Sequence, residues 1–289
     1  MATVGEWMAG ARPRTLPAAI APVAVGTGVA VGAGQPVWWK AALCLLLALL
    51  LQIGVNYSND YSDGVRGTDA RRVGPVRLTA TRLARPRHVL AAALGCFAAA
   101  AATGLVLAAT SSLWLVLVGA LAIVAAWFYT GGSRPYGYRA LGELSVFVFF
   151  GLVAVVGTAY IQLLAAPWTA WAAAVPVGLV AVALLVVNNL RDIPSDTEAG
   201  KRTLAVVLGD RATRLLYAGA VAGAFAVALL TLAASWWVAL VLLAVPLAVA
   251  PVRTVLGGAT GPALIPPLAA TGRLQLVMSL LYAVGLALG

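Results

Sequence analysis

Nine apolar stretches recur along this chain, each close to the ~20 residues that a helix needs to cross a hydrocarbon core ~30 Å thick. They fall at roughly 15–33, 37–57, 88–109, 112–130, 142–163, 169–190, 213–233, 236–252 and 273–288. A helix on the surface of a soluble core keeps a polar stripe, yet the run from Ala41 to Leu51 is apolar on every side. Only 10% of the 289 residues are charged, where soluble domains carry about 25%. The pattern predicts an all-α membrane protein: nine transmembrane helices in a bundle, forming one integral membrane domain over residues 1–289.

Alternating nine spans assigns every loop to a side. All but one of the 19 basic residues then share a face, and Lys40 alone lies opposite. All nine acids join the majority. The positive-inside rule makes that face cytoplasmic, so the N-terminus is expected inside and the C-terminus outside. A net charge of +10 and a pI near 10.3 do not point to nucleic acid, because the basic residues sit in short loops at the membrane and not in a separable basic domain. Anionic membrane lipid is the expected neighbour of most of them. Connections on the opposite face are short and uncharged, whereas the cytoplasmic loops at about 60–86 and 191–214 are rich in Gly, Pro, Arg and Asp. Function is expected in those loops.

Both loops open with copies of one device. Asn56-Tyr57-Ser58-Asn59-Asp60-Tyr61-Ser62-Asp63 ends one apolar run, and Asn188-Asn189-Leu190-Arg191-Asp192-Ile193-Pro194-Ser195-Asp196 ends another. On a continuing helix, Asn56, Asp60 and Asp63 share a face at i, i+4 and i+7, as Asn188, Asp192 and Asp196 do at i, i+4 and i+8. Thr68-Asp69-Ala70-Arg71-Arg72 rhymes with Thr197-Glu198-Ala199-Gly200-Lys201-Arg202, with four spans between the copies. Two parallel pseudo-repeats are therefore expected, their acid groups facing across a shared cavity.

Carboxylates crowded at a membrane boundary repel each other and lose hydration, so clusters of them call for cations. Hard oxygen donors without His or Cys favour Mg2+ over zinc or copper. Mg2+ usually takes one or two carboxylates and bridges to a phosphate. The interleaved Arg66, Arg71, Arg72, Lys201 and Arg202 suit the oxygens of that phosphate. A metal-bound diphosphate is the expected ligand. If it is allylic, its departure leaves a carbocation that needs a dry cavity, and Trp127, Phe128, Tyr129, Phe147, Phe149 and Phe150 offer π faces near the inner end.

At these residues the chain resembles the UbiA superfamily of intramembrane aromatic prenyltransferases, whose signature is Asn-Asp-x-x-Asp after the second helix and Asp-x-x-x-Asp after the sixth. Asn59-Asp60-x-x-Asp63 and Asp192-x-x-x-Asp196 match it. Arg12-Pro13-Arg14-Thr15-Leu16, Gly67-Thr68-Asp69, Arg77-Leu78-Thr79, Leu141-Gly142-Glu143 and Ala199-Gly200-Lys201-Arg202-Thr203-Leu204 are similar to the branch that acts on 1,4-dihydroxy-2-naphthoate in menaquinone synthesis. In the common superfamily pattern another acid follows the second Asp of the first motif by four residues; here Gly67 stands in that place and Asp69 comes two later.

The resemblance implies transfer of a polyprenyl group from polyprenyl diphosphate to the naphthoate ring with loss of CO2, at the plasma membrane of a bacterium, with the site facing the cytoplasm. It implies two Mg2+ ions, one held by Asp60 and Asp63 and one by Asp192 and Asp196, with help from Asn56, Asn59, Asn188 and Asp69. Arg66, Lys201 and Arg202 would take the diphosphate, and Tyr129 and Arg134 the aromatic acceptor or a phosphate. Asp69 or Glu143 would remove a proton from the acceptor, whereas His88, the single histidine, carries no expected role. Three rivals stay open at this point: an enzyme of the same architecture acting on hydroxybenzoate, haem or a sugar phosphate, an ion-coupled secondary transporter, and a phosphatidyl-type transferase.

Overall fold

The computed structural model describes residues 2–67 and 77–289. Among them there is no strand, only an isolated bridge between Arg139 and Arg202. The helices are α1 (Val4–Gly10), α2 (Pro17–Gly32), α3 (Trp38–Arg66), α4 (Pro86–Thr110), α5 (Leu115–Phe128), α6 (Gly142–Leu163), α7 (Trp168–Glu198), α8 (Leu204–Leu230), α9 (Trp236–Leu256) and α10 (Ile265–Ala287).

Each of the nine apolar stretches lies in one of α2 to α10, but not all of them meet the length of a span. Among the described residues seven helices are long and apolar enough to cross a membrane, and an eighth follows if α1 and α2, bent by 49°, count as one span. The shortfall is α5. Its 14 residues reach about 21 Å at 1.5 Å per residue, because the helix stops ahead of Thr130-Gly131-Gly132. A second departure is α8, which is broken at Gly209 (φ 76°, ψ 173°), so Leu204 to Leu208 forms a separate turn ahead of the span proper.

The centre of the bundle is α7. Two-thirds of its apolar stretch is buried inside the protein, against about a third for most of its neighbours. Small residues make this possible: Ala170, Ala173, Ala174, Gly178 and Ala181 let α6, α8 and α10 close on it. A Cβ built at Gly151 of α6 would lie 2.8 Å from the Gly178 Cα, so the two glycines set that crossing. The middle of α6, Phe147–Val153, winds as a π-helix, and Phe149, Phe150 and Val153 of this stretch line a cavity.

With 29 and 31 residues, α3 and α7 outrun a bilayer core, so their last turns project past it. Both turns carry the acid motifs. Both helices run the same way: the Lys40 ammonium near the start of α3 bonds the Ile161 carbonyl at the end of α6, the helix that leads into α7. Gly67 ends α3 in the left-handed region (φ 74°) and Gly200 ends α7 there (φ 70°), a conformation that favours glycine and closes the helix by turning the chain back. Gly67, standing where the superfamily pattern has an acid, is thus the stop signal of α3.

Candidate active site

The motif faces form as the helical spacing predicts. Asn56, Asp60 and Asp63 are all buried, as are Asp192 and Asp196, while Asn59 and Asn188 are half-buried. Their partners differ. Both oxygens of Asp60 accept backbone N–H groups, from Leu78 at 2.7 Å and Thr79 at 2.9 Å, so this carboxylate anchors the incoming chain on the far side of residues 68–76. Asp63 accepts the Tyr138 hydroxyl and lies 3.7 Å from the cationic nitrogens of both Arg77 and Lys201. Asp192 is gripped in a fork by Arg191, with both N···O distances 2.7 Å, and Arg191 also donates to Asn188 Oδ1 at 2.9 Å. Asn189 donates to Glu143 at 2.9 Å.

The two motifs meet through Lys201. Its backbone N–H bonds the Asp196 carbonyl at 2.8 Å, closing the end of α7, and this turn sends the ammonium toward Asp63 of α3. The ammonium also sits 4.8 Å above the Tyr138 ring, whose carbonyl accepts the Arg202 N–H at 3.0 Å. The Tyr136-Gly137-Tyr138 turn between α5 and α6 is therefore clamped between the motif ends.

Beside this junction opens a cavity of about 1310 Å³. Its polar end is lined by Arg12, Arg14, Asn56, Asn59, Arg77 and Arg191, and its walls are apolar side chains of α2 to α7 and α10. Along α3 it runs from Cys44 to Asn59, about 22 Å at 1.5 Å per residue. Tyr136 sits on this wall. Its hydroxyl donates to the Ala125 carbonyl at 2.8 Å and lies 2.9 Å from Ser145 Oγ. Burial pushes its pKa above the usual tyrosine value, so it stays protonated.

Residues 19–259 match the UbiA prenyltransferase family. The chain belongs to that family. It is 54% identical to the 1,4-dihydroxy-2-naphthoate octaprenyltransferase of Mycobacterium tuberculosis, over 100% of this chain and 99% of the relative. The protein of that description from Mycobacterium leprae is 50% identical over 100% of this chain and 98% of its own. Among solved structures, a UbiA homolog from Archaeoglobus fulgidus bound to GPP and Mg2+ superposes with a TM-score of 0.69 at 16% identity, covering 98% of this chain and 100% of that one. Together with its apolar helices, family membership makes this an integral membrane protein.

In this UbiA-family chain the residues expected from the sequence separate into three groups. Asp60, Asp63, Asp192 and Asp196 come to one end, but they do not line the cavity; Asn56, Asn59, Asn188 and Tyr129 do, with Arg77 and Arg191 between cavity and carboxylates. Each motif lines the cavity with its amides, and Arg77 and Arg191 on the same wall pair with Asp63 and Asp192. Arg66 is exposed and donates to the Thr130 and Gly132 carbonyls, pinning the loop after α5, and Arg202 and Arg134 are exposed. Asp69, Arg71 and Arg72 lie outside the described residues. Of the aromatics, Tyr129, Phe149 and Phe150 line the cavity, whereas Phe147 packs on the core and Phe128 is exposed. Tyr138 carried no sequence signal beyond its neighbourhood, because its role depends on Asp63 and Lys201, 138 residues apart in the chain, closing on one side chain.

Proposed function

We propose that this chain transfers a polyprenyl group from polyprenyl diphosphate to 1,4-dihydroxy-2-naphthoate in menaquinone synthesis. The carbon–oxygen bond to diphosphate breaks, a carbon–carbon bond to the ring forms, and CO2 leaves the ring. Relatives that match the chain end to end carry this activity in their names. The observation that carries the reading is the junction of both motifs, through Lys201 and Asp63, at the polar end of a long apolar cavity.

The donor set fits Mg2+. It consists of carboxylate and amide oxygens, hard donors of the kind that Mg2+ takes one or two at a time beside phosphate oxygens. Asp60 and Asp63 would hold one ion and Asp192 and Asp196 a second, with Asn56, Asn59 and Asn188 beside them. Bound there, Mg2+ stabilises negative charge on the leaving diphosphate. Arg77 and Arg191, already on the cavity wall, together with Lys201, neutralise the remaining phosphate charge. The apolar walls hold the isoprenoid tail and keep water from the allylic centre. Tyr129 lies where the ring of the acceptor meets the polar end. The motif end faces the cytoplasm, as the distribution of basic residues supports.

Turnover by purified protein tests this reading. With dihydroxynaphthoate and a polyprenyl diphosphate the expected product is the prenylated, decarboxylated quinol, and EDTA should lower the rate by about 100-fold or more. Prenylation of hydroxybenzoate but not of the naphthoate would overturn the acceptor assignment.

A further inference from the structure

Beyond the diphosphate machinery, one buried acceptor among the described residues of the cavity wall is left without a protein partner. Gln52 lies one helical turn before Asn56 on α3, is 7% exposed and lines the cavity. Its Oε1 has no hydrogen-bond partner. Which end of the amide is left unpaired depends on Thr15. The single hydroxyl proton of Thr15 goes to the Arg12 carbonyl at 2.9 Å, so Thr15 Oγ1 can only accept from its other neighbours. It accepts from Gln52 Nε2 at 3.0 Å and from Asn56 Nδ2 at 3.0 Å. Asn56 in turn uses Nδ2 on the Ala11 carbonyl at 2.9 Å, so a flipped Asn56 would face oxygen to carbonyl, and a flipped Gln52 would face its oxygen to Thr15 Oγ1 and draw that hydroxyl away from the Arg12 carbonyl. While Thr15 donates to Arg12, Gln52 keeps its oxygen without a partner.

A buried acceptor in an apolar wall carries a desolvation penalty of about 1–3 kcal/mol until a donor reaches it. Resting on the reading above, we propose that Gln52 Oε1 accepts a hydrogen bond from a ring hydroxyl of the aromatic acceptor and so determines acceptor specificity. The elimination is chemical. An isoprenoid tail has no donor, and a diphosphate bound by metal and arginine presents only acceptors, which Oε1 would repel. Of the groups in the reaction only the phenolic O–H of the acceptor fits. Arg12 and Arg14, just before Thr15 on the same wall, supply the positive charge that the acceptor carboxylate requires.

The test couples the side chain to the hydroxyl it reads. The kcat/KM values of wild type and Gln52→Met are measured for 1,4-dihydroxy-2-naphthoate and for the two analogues lacking either hydroxyl, with one polyprenyl diphosphate. The expected result is a loss of about tenfold or more on the full acceptor, much smaller on one of the analogues, with KM for the diphosphate unchanged. Thr15→Val, which unlocks the amide while keeping Gln52, should weaken the same discrimination and serves if Gln52→Met does not fold. Equal losses on all three acceptors, or a change confined to the diphosphate KM, would overturn the assignment. Absence of wild-type turnover with dihydroxynaphthoate would instead remove the reading beneath it.

Discussion

Two aspartates three residues apart on one helix are held differently. Asp60 is held through both oxygens by backbone N–H groups, while Asp63 is held by side chains, two of them cationic. Asp60→Asn must turn an N–H toward a backbone N–H, so it should lower stability by about 1–3 kcal/mol, visible as a lower Tm with or without ligand. Asp63→Asn keeps an oxygen for Tyr138 but leaves Arg77 and Lys201 without their shared counter-charge. Its turnover should fall by about 100-fold or more, and its Tm deficit should shrink when inorganic diphosphate replaces the missing charge. A Tm of Asp63→Asn that ignores diphosphate would contradict the role given to those cations. The exposed Arg253→Ala serves as a control and should leave both quantities near wild type. The residue types of the motifs were legible in the sequence, but this division was not, since Leu78 and Thr79 approach Asp60 only after a loop has closed.

At the level of elements, contact between helices is set by what they lack. On α2, a Cβ at Gly28 would lie 2.5 Å from the Ala283 carbonyl oxygen and one at Gly32 would lie 2.2 Å from that of Leu286, so the backbones of α2 and α10 touch along a Gly-x-x-x-Gly face. Gly28→Ala should therefore push the helices apart and cost about 1–3 kcal/mol. Gly95 on α4 offers the contrast, being exposed and with nothing near its added Cβ. Gly95→Ala should leave Tm unchanged or raise it by the ordinary helix preference of about 0.5–1 kcal/mol. Equal Tm values for the two variants would count against close packing of α2 on α10. In the sequence both glycines read as interchangeable members of an apolar run, because hydropathy has no term for a neighbour's backbone.

Across the whole molecule, charge divides the two ends. Lys40, the basic residue set apart by topology, is buried at the end opposite the motifs, where its three donors bond the Thr110 carbonyl at 2.9 Å, Ser111 Oγ at 2.8 Å and the Ile161 carbonyl at 3.0 Å. It ties α3 to the ends of α4 and α6. Lys40→Met should lower stability by about 1–3 kcal/mol while kcat stays within about twofold, since a site this far from the motifs acts independently of them. A kcat loss matching that of the Asp63 variant would show the two ends to be coupled. The sequence by itself determined that the chain is a membrane bundle, where its helices run and which end gathers charge, and it singled out the carboxylates proposed for the site. Hydropathy, helical period and charge bias act within a few turns, so they can be read locally. Only the tertiary structure decided that α5 falls short of a span, that Arg77 and Arg191 on the cavity wall pair with Asp63 and Asp192, that Lys201 crosses to Asp63, and that the Gln52 oxygen is left without a protein partner. Each of these depends on groups far apart in the chain competing for the same donors and the same space, which no local pattern records.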